Sequence, residues 1–363
     1  MSKKLRDARL RVTPTSENRP NRERQFLPES VKRWSALSVR TVFLVLFALF
    51  LAAFFQSCGV RTYTEEFFAM DTFMVITVYG DDETVELVKE KIGKYDAMFS
   101  VSSVTGELAR LNETGYLEDP SPELLEMLDC AKTLWERTGG LYDVTAYPLS
   151  KLWNEAIKTG VLPEEEQIKE AVGKVGFDKI TFCEDYVSLG EAAGIDLGSI
   201  VKGYAGREAA KVITESGNAV GAVLNLGGNI VTVGKKPDAE KFRIAITDPF
   251  EIGKTIGYLE TEEATFSTCG TYNRCVTVDG KTYHHIISTG TGYPCESGLV
   301  SVTVIAQDGM WADALSTSLM LLGEDGALEY YENYGGFEAV FVREDGTVFT
   351  TDGLESVFVR AQQ

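Results

Sequence analysis

Asp313 and Thr317 stand four residues apart in the stretch Ala312-Asp313-Ala314-Leu315-Ser316-Thr317. On a helix that spacing places both oxygen-bearing side chains on one face, where they can bind the same hard cation. Two donors do not complete a metal site. A Mg²⁺ held against a substrate phosphate fills its octahedron with phosphate and water. The same spacing also fits an ordinary Asp beside a Thr near a helix start. A second cluster is Gly194-Ile195-Asp196-Leu197-Gly198-Ser199-Ile200-Val201-Lys202-Gly203. Here Asp196 follows an apolar run, and Lys202 falls near a helix start. Free N–H groups and a cationic side chain converging there suit a pyrophosphate, although a surface Asp–Lys pair is the plainer reading. Asn225-Leu226-Gly227-Gly228-Asn229 ends a strand with paired glycines that admit a ligand close to the backbone or simply make a turn. Gly139-Gly140-Leu141-Tyr142-Asp143-Val144-Thr145 stops a helix and could line a pocket, or be a plain helix-to-helix turn. The two histidines, His284 and His285, are adjacent. On a strand they point to opposite faces, so they cannot share one metal, and at most one is catalytic. No G-x-x-x-x-G-K-[ST], no G-x-G-x-x-G after a strand and no H-E-x-x-H occurs.

The elements that must position these residues are legible in the periodicity. Thr72 to Tyr79 reads as a strand, and Asp82 to Met98 as a helix with Asp82 as N-cap. Ser121-Pro122-Glu123 opens a helix to about Thr138. Short elements follow: a helix from Pro163 to Gly173 and two strand signals between Phe177 and Leu189. Lys202 to Ser216 reads as a helix, and Trp311 to Leu322 as a helix closed by Gly323. Strands are expected at 219–226, 242–247, 257–261, 275–278 and 300–306. A terminal hairpin turns at Glu344-Asp345-Gly346. Helices and strands mix without strict alternation, which favours α+β over a doubly wound sheet.

Of 363 residues, 44% are hydrophobic and 25% charged, an ordinary globular balance. Charge is divided sharply. Residues 1–40 carry 11 Lys/Arg and 4 Asp/Glu, residues 41–57 carry none, and the remainder is net −26. So acidic a body excludes sequence-independent nucleic-acid binding, which needs Lys/Arg to displace counterions. The apolar run at 41–55 (TVFLVLFALFLAAFF) spans roughly 22 Å, short of a bilayer core. A basic region before it and Gln56-Ser57-Cys58 after it describe a secretory signal peptide ending in a lipobox-like cysteine, lipid-modified at Cys58. An uncleaved anchor or a free secreted protein are the alternatives. All three place the body outside the cytoplasmic membrane. The expected organisation is a basic n-region and signal peptide (1–57), a lipid-anchored tether (58–69), one large domain (70–356) and a tail (357–363). Six cysteines, with no C-x-x-C, point to buried free thiols rather than a zinc or redox motif, although Cys269 and Cys275 could pair.

Taken in order, the clusters resemble the ApbE family of FAD:protein FMN transferases. Eight segments between about residues 65 and 355 carry the likeness. They are Met70-Asp71-Thr72; Tyr142-Asp143-Val144-Thr145 with Pro148-Leu149; Asp196-Leu197-Gly198 through Lys202-Gly203-Tyr204; Asn225 through Asn229; Asp248-Pro249; Ser267 through Arg274; His285-Ile286-Ile287 with Thr291-Gly292-Tyr293-Pro294; and Ala312 through Thr317. The resemblance implies a single large ApbE-like (T-fold-like) α+β domain. It also implies transfer of FMN from FAD to a Ser or Thr hydroxyl of an acceptor flavoprotein, with Mg²⁺ required and AMP released. By family, that acceptor is a membrane redox-complex subunit or an extracellular flavoprotein. On the same ground Asp313, Thr317 and the Ser199 carbonyl would hold the metal and Lys202 would neutralise pyrophosphate. Asp143 and Asp196 would hydrogen-bond FAD, and Met70, Leu141, Tyr142 and Ile287 would line its pocket. His285 would accept the hydroxyl proton. One departure stands out: the family has Asp-Pro where this chain has Ser288-Thr289. Ser288 can orient an imidazole but supplies no charge. An FAD pyrophosphatase and a non-enzymatic FAD-binding lipoprotein are the competing readings.

Overall fold

The structure, a computed structural model, describes residues 60–361 apart from 102, 104, 238–240 and 252. The expected signal peptide and Cys58 lie outside the described residues. The chain enters through β1 (Arg61–Ala69) and β2 (Thr72–Gly80), paired antiparallel through a two-residue turn. Helix α1 (Asp82–Phe99) is capped by Asp81, whose Oδ1 accepts the Thr84 N–H at 2.9 Å. The expected cap is thus one residue late, because Asp81 lies the three residues before Thr84 that the cap geometry needs. Next come α2 (Glu107–Thr114), β3 (Tyr116–Glu118) and α3 (Pro122–Arg137). Ser121 caps α3 by accepting from the Leu124 N–H at 3.2 Å. They are followed by α4 (Tyr147–Thr159), α5 (Glu165–Lys174), β4 (Ile180–Phe182), β5 (Tyr186–Leu189) and α6 (Val201–Ser216).

The second half is mostly strand: β6 (Gly221–Asn225), β7 (Asn229–Gly234), β8 (Phe242–Thr247), β9 (Thr255–Thr261), β10 (Ala264–Gly270), β11 (Cys275–Val278), β12 (Lys281–His284) and β13 (Leu299–Ala306). The chain closes with α7 (Gly309–Tyr334), β14 (Glu338–Arg343), β15 (Val348–Thr350) and β16 (Val359–Arg360). Eight strands form one antiparallel sheet in the order β1-β2-β6-β7-β10-β13-β14-β15. On one face Met74, Ile76 and Val78 of β2 pack with Val85, Val88 and Ile92 of α1 and with Ala209 and Ile213 of α6. On the other, Tyr79, Val223, Ile230 and Ile305 meet Phe242, Ile244 and Leu259 of the small β8-β9-β16 sheet. This is the expected α+β class, with the large sheet covered by helices on one side and by a second sheet on the other.

Three expectations are corrected. Residues 61–69 are not a tether but β1. Tyr63 and Phe67 alternate inward against the core cluster, so the segment gains ladder bonds and burial together. The 357–363 tail likewise contains β16, which pairs with β9. Gly323 does not close its helix. It breaks the backbone at φ 68° and the chain resumes helical turns to Tyr334, because Ala327 and Tyr330 still have core to bury. The described cysteines are all free, so Cys269 and Cys275 are unpaired.

Candidate functional site

A cavity of about 720 Å³ opens at the ends of β2, β6 and β10, beside the start of α6 and beside Thr317 and Leu321 of α7. It is lined by Met70, Leu141, Tyr142, Asp143, Asp196, Ser199, Lys202, His285, Ile287 and Thr317. A smaller cavity of about 300 Å³, between α6 and β7, contains none of these residues. Its Arg207 is engaged by Glu126 at 2.8 Å, Asp308 at 3.1 Å and Glu208 at 3.2 Å.

Asp313 anchors the larger site from beneath. Asp308 caps α7 by accepting from the Met310 and Trp311 N–H groups. That starts the helix so that Asp313 faces α6 and Thr317 follows one turn on. The Asp313 carboxylate is buried, with Oδ2 accepting the Gly203 N–H at 2.8 Å and Oδ1 accepting the Ser267 hydroxyl at 3.1 Å. Its nearest cation is Lys202, with Nζ 3.8 Å away. Gly203 permits this approach. A Cβ there would lie 2.0 Å from the Gly309 carbonyl oxygen and 2.6 Å from the Asp313 Cβ, so only glycine lets α6 and α7 touch. The Ser267 hydroxyl also contacts Asn229 Oδ1 at 2.7 Å, joining the paired-glycine motif to the same carboxylate.

The remaining residues are held by specific partners. The Lys202 ammonium donates to the Gly198 carbonyl at 2.8 Å. Asp196 accepts from the Ser150 hydroxyl at 2.6 Å and the Gly198 N–H at 2.9 Å. Tyr142 is buried, and its OH lies 3.0 Å from Ser199 Oγ. Burial holds its phenol well above the usual range, so it remains neutral. Asp143 is committed more fully. Oδ1 accepts from the Thr145 N–H at 2.8 Å and its hydroxyl at 2.6 Å, while Oδ2 accepts the Phe177 N–H at 2.9 Å. Burial raises its pKa and these three bonds oppose the rise. Asp143→Ala should therefore cost roughly 2–4 kcal/mol by stranding buried donors. Urea unfolding reads this directly, and a loss below ~1 kcal/mol contradicts it.

The histidines divide as their adjacency demands. His284 turns inward, with Nε2 at 3.1 Å from the Cys295 carbonyl oxygen. His285 faces the cavity, with Nδ1 3.2 Å from the Arg274 carbonyl oxygen. A carbonyl only accepts, so the proton lies on Nδ1 and Nε2 is left with its lone pair. Desolvation and the Arg274 charge lower the His285 pKa to about 4. The Arg274 main chain orients this ring, a task for which the sequence offered Ser288 as one able residue. The Ser288 main chain closes a turn with Gly292 and Tyr293. Cys269 is buried beside Thr317, and burial pushes its thiol up to about 12, which makes it inert.

The structure adds residues that local reading missed. Arg274 lines the cavity, and its Nη2 donates to the Asp71 carbonyl at 3.3 Å. Asp96 accepts from the Met70 backbone N–H. Both fix the β1–β2 turn, where Met70 and Asp71 take φ of 49° and 57° without being glycine. Of these added residues, only Arg274 belongs to one of the eight ordered segments. Ser150 and Asp96 come from helix faces with no local signal.

Among the described residues, no group of three or more His, Cys, Asp or Glu forms a metal cluster. A buried carboxylate with a hydroxyl one turn on and one ammonium nearby fits a hard cation that draws its remaining ligands from a bound phosphate.

Comparison with known proteins shows the family. The sequence pattern of the ApbE family matches residues 70–341. The chain is 31% identical over 292 residues to the FAD:protein FMN transferase of Haemophilus influenzae, covering 75% of this chain and 84% of that protein. It is 28% identical over 298 residues to the FAD:protein FMN transferase of Escherichia coli K12, covering 78% and 84%. The crystal structure of the ApbE protein of Thermotoga maritima superposes with a TM-score of 0.76 at 27% identity, covering 83% of this chain and all of that one.

Proposed function

We propose, from the premise that this chain belongs to the ApbE family, that it is a Mg²⁺-dependent transferase moving FMN from FAD to a Ser or Thr hydroxyl of an acceptor flavoprotein. The observation that carries the reading is the buried Asp313 carboxylate, 3.8 Å from the ammonium of Lys202, which itself lines a cavity large enough for a dinucleotide. Asp313, Thr317 and the Ser199 carbonyl would hold the metal, which supplies charge neutralisation on the diphosphate. Lys202 adds a second positive charge there. Asp143 and Asp196 stiffen the loops that cup the flavin nucleotide, and Asp196 offers it a hydrogen-bond acceptor. Met70, Leu141, Tyr142 and Ile287 form the walls against which flat rings pack.

The chemistry is one displacement. The acceptor hydroxyl attacks the FMN phosphorus, a new P–O bond forms, and the bond to AMP breaks. His285 Nε2 takes the hydroxyl proton. Its lowered pKa means the ring is neutral and competent well below neutrality. The facing charges are Arg274 and Lys202, and both disfavour the protonated ring. The transfer rate should therefore stay level from pH 8 down to about 5.5 and fall only as the ring begins to protonate. His285→Ala should lower it 10²–10⁴-fold with FAD affinity kept. A full rate in His285→Ala, or an acid limb near pH 6.5, contradicts the assignment.

Anchorage belongs to the same proposal. The apolar 41–55 run and Cys58 support a lipid-anchored protein on the outer face of the cytoplasmic membrane, where the acceptor is a membrane redox-complex subunit or an extracellular flavoprotein. The decisive assay combines the protein, FAD and Mg²⁺ and follows AMP with and without an acceptor bearing the target Ser/Thr. Covalent flavin on the acceptor together with AMP supports the transferase. Equal AMP without acceptor identifies a pyrophosphatase, and FAD binding without AMP a flavin-binding protein.

A further inference from the structure

The turn that brings Met70 into the cavity wall also displays an aromatic pair that no described element covers. Phe68 and Phe73 oppose each other across β1 and β2, edge to face with centroids 6.0 Å apart. They are 64% and 70% exposed. Further along the same face of β2, Tyr79 is covered by Phe242 of β8. That covering layer does not reach the turn. The pair is mounted rigidly, since Arg274 and Asp96 hold the turn from two sides. Two large apolar rings kept in water on a fixed mount mark a contact surface.

We propose that Phe68 and Phe73 are the docking contact for the acceptor protein. This inference rests on the flavin-transfer reading. Met70, Asp71 and Thr72 line the cavity, and Phe73 is the next residue, so the pair stands beside the cavity where a polypeptide delivering a hydroxyl can be held. A lipid surface suits the patch poorly. Glu66, on the same face of β1, and Asp71, in the turn, stand beside it. The body from residue 58 is net −26, which anionic headgroups repel. The chain also enters β1 at Arg61, at the end of the strand away from the pair and about 25 Å from it at the usual strand rise. The partner that fits presents apolar side chains beside its Ser or Thr, on a neutral or basic background. Aromatic anchors at the centre of an interface typically carry much of its binding energy.

The test uses the full chain in detergent, with FAD, Mg²⁺ and a purified acceptor domain carrying one target Ser/Thr. The variants are Phe68→Ser with Phe73→Ser, and Phe68→Leu with Phe73→Leu. For the serine pair, KM for the acceptor should rise about tenfold or more, while kcat, FAD affinity and acceptor-free AMP release hold within about twofold. The leucine pair should recover most of the loss. An unchanged acceptor KM overturns the proposal. So does a serine pair that instead loses flotation with phosphatidylglycerol vesicles, or that changes only the oligomeric state. If the wild-type protein labels no acceptor, the transferase reading itself fails and takes this inference with it. That failure shows in the wild-type lane, whereas failure of the docking contact alone shows only in the variants.

Discussion

Asp313→Asn should abolish flavin transfer, lowering the rate roughly 10³-fold or more, while the protein stays folded and still binds FAD. The reasoning is electrostatic. Asparagine keeps an oxygen that can accept the Gly203 N–H and nearly the same volume, so the α6–α7 contact survives. It removes the buried carboxylate 3.8 Å from Lys202, and with it the negative charge that on the proposed reading would draw a cation to the diphosphate. Metal affinity, read by calorimetry in the presence of FAD, should fall together with AMP release. Thermal stability should change little. A variant retaining a tenth of the wild-type rate would show that the metal, if used, is held elsewhere.

The second large effect is structural. Gly203→Ala adds a Cβ that must lie 2.0 Å from the Gly309 carbonyl oxygen, a backbone atom that cannot rotate away. The α6 and α7 helices must then separate, which costs about 2–4 kcal/mol of core packing. The separation also pulls the Gly203 N–H from Asp313 and shifts the carboxylate relative to Lys202. Transfer should fall by at least ~10²-fold even below the unfolding temperature, because a 1 Å displacement of a positioning group costs that much. Gly93 in α1 is the matched control, since a Cβ there meets nothing within 4 Å. Gly93→Ala should unfold no earlier than the parent in a thermal melt. Equal behaviour of the two variants would refute the close-approach argument.

The amino-acid sequence determined whatever is decided within a few residues. The Ser121-Pro122-Glu123 start of α3 and the turn at 344–346 are local hydrogen-bond and backbone choices, and they appear where the residues place them. The Asp313–Thr317 spacing survives for the same reason, since a helix repeats every 3.6 residues wherever it packs. Ordered motifs also sufficed for the family, because their chemistry is written in residue types. Tertiary structure decided the rest. Residues 61–69 look like a polar tether alone, and only pairing with β2 and burial of Tyr63 and Phe67 make them a strand. Gly323 carries a stop signal that the buried faces of Ala327 and Tyr330 override. The partners of the site come from distant elements: Gly203 and Ser267 on Asp313, Ser150 on Asp196, Phe177 on Asp143, and Arg274 on both His285 and the Met70–Asp71 turn. No periodicity encodes those meetings, because they depend on how helices and sheets stack across the core rather than on what neighbours each residue in the chain.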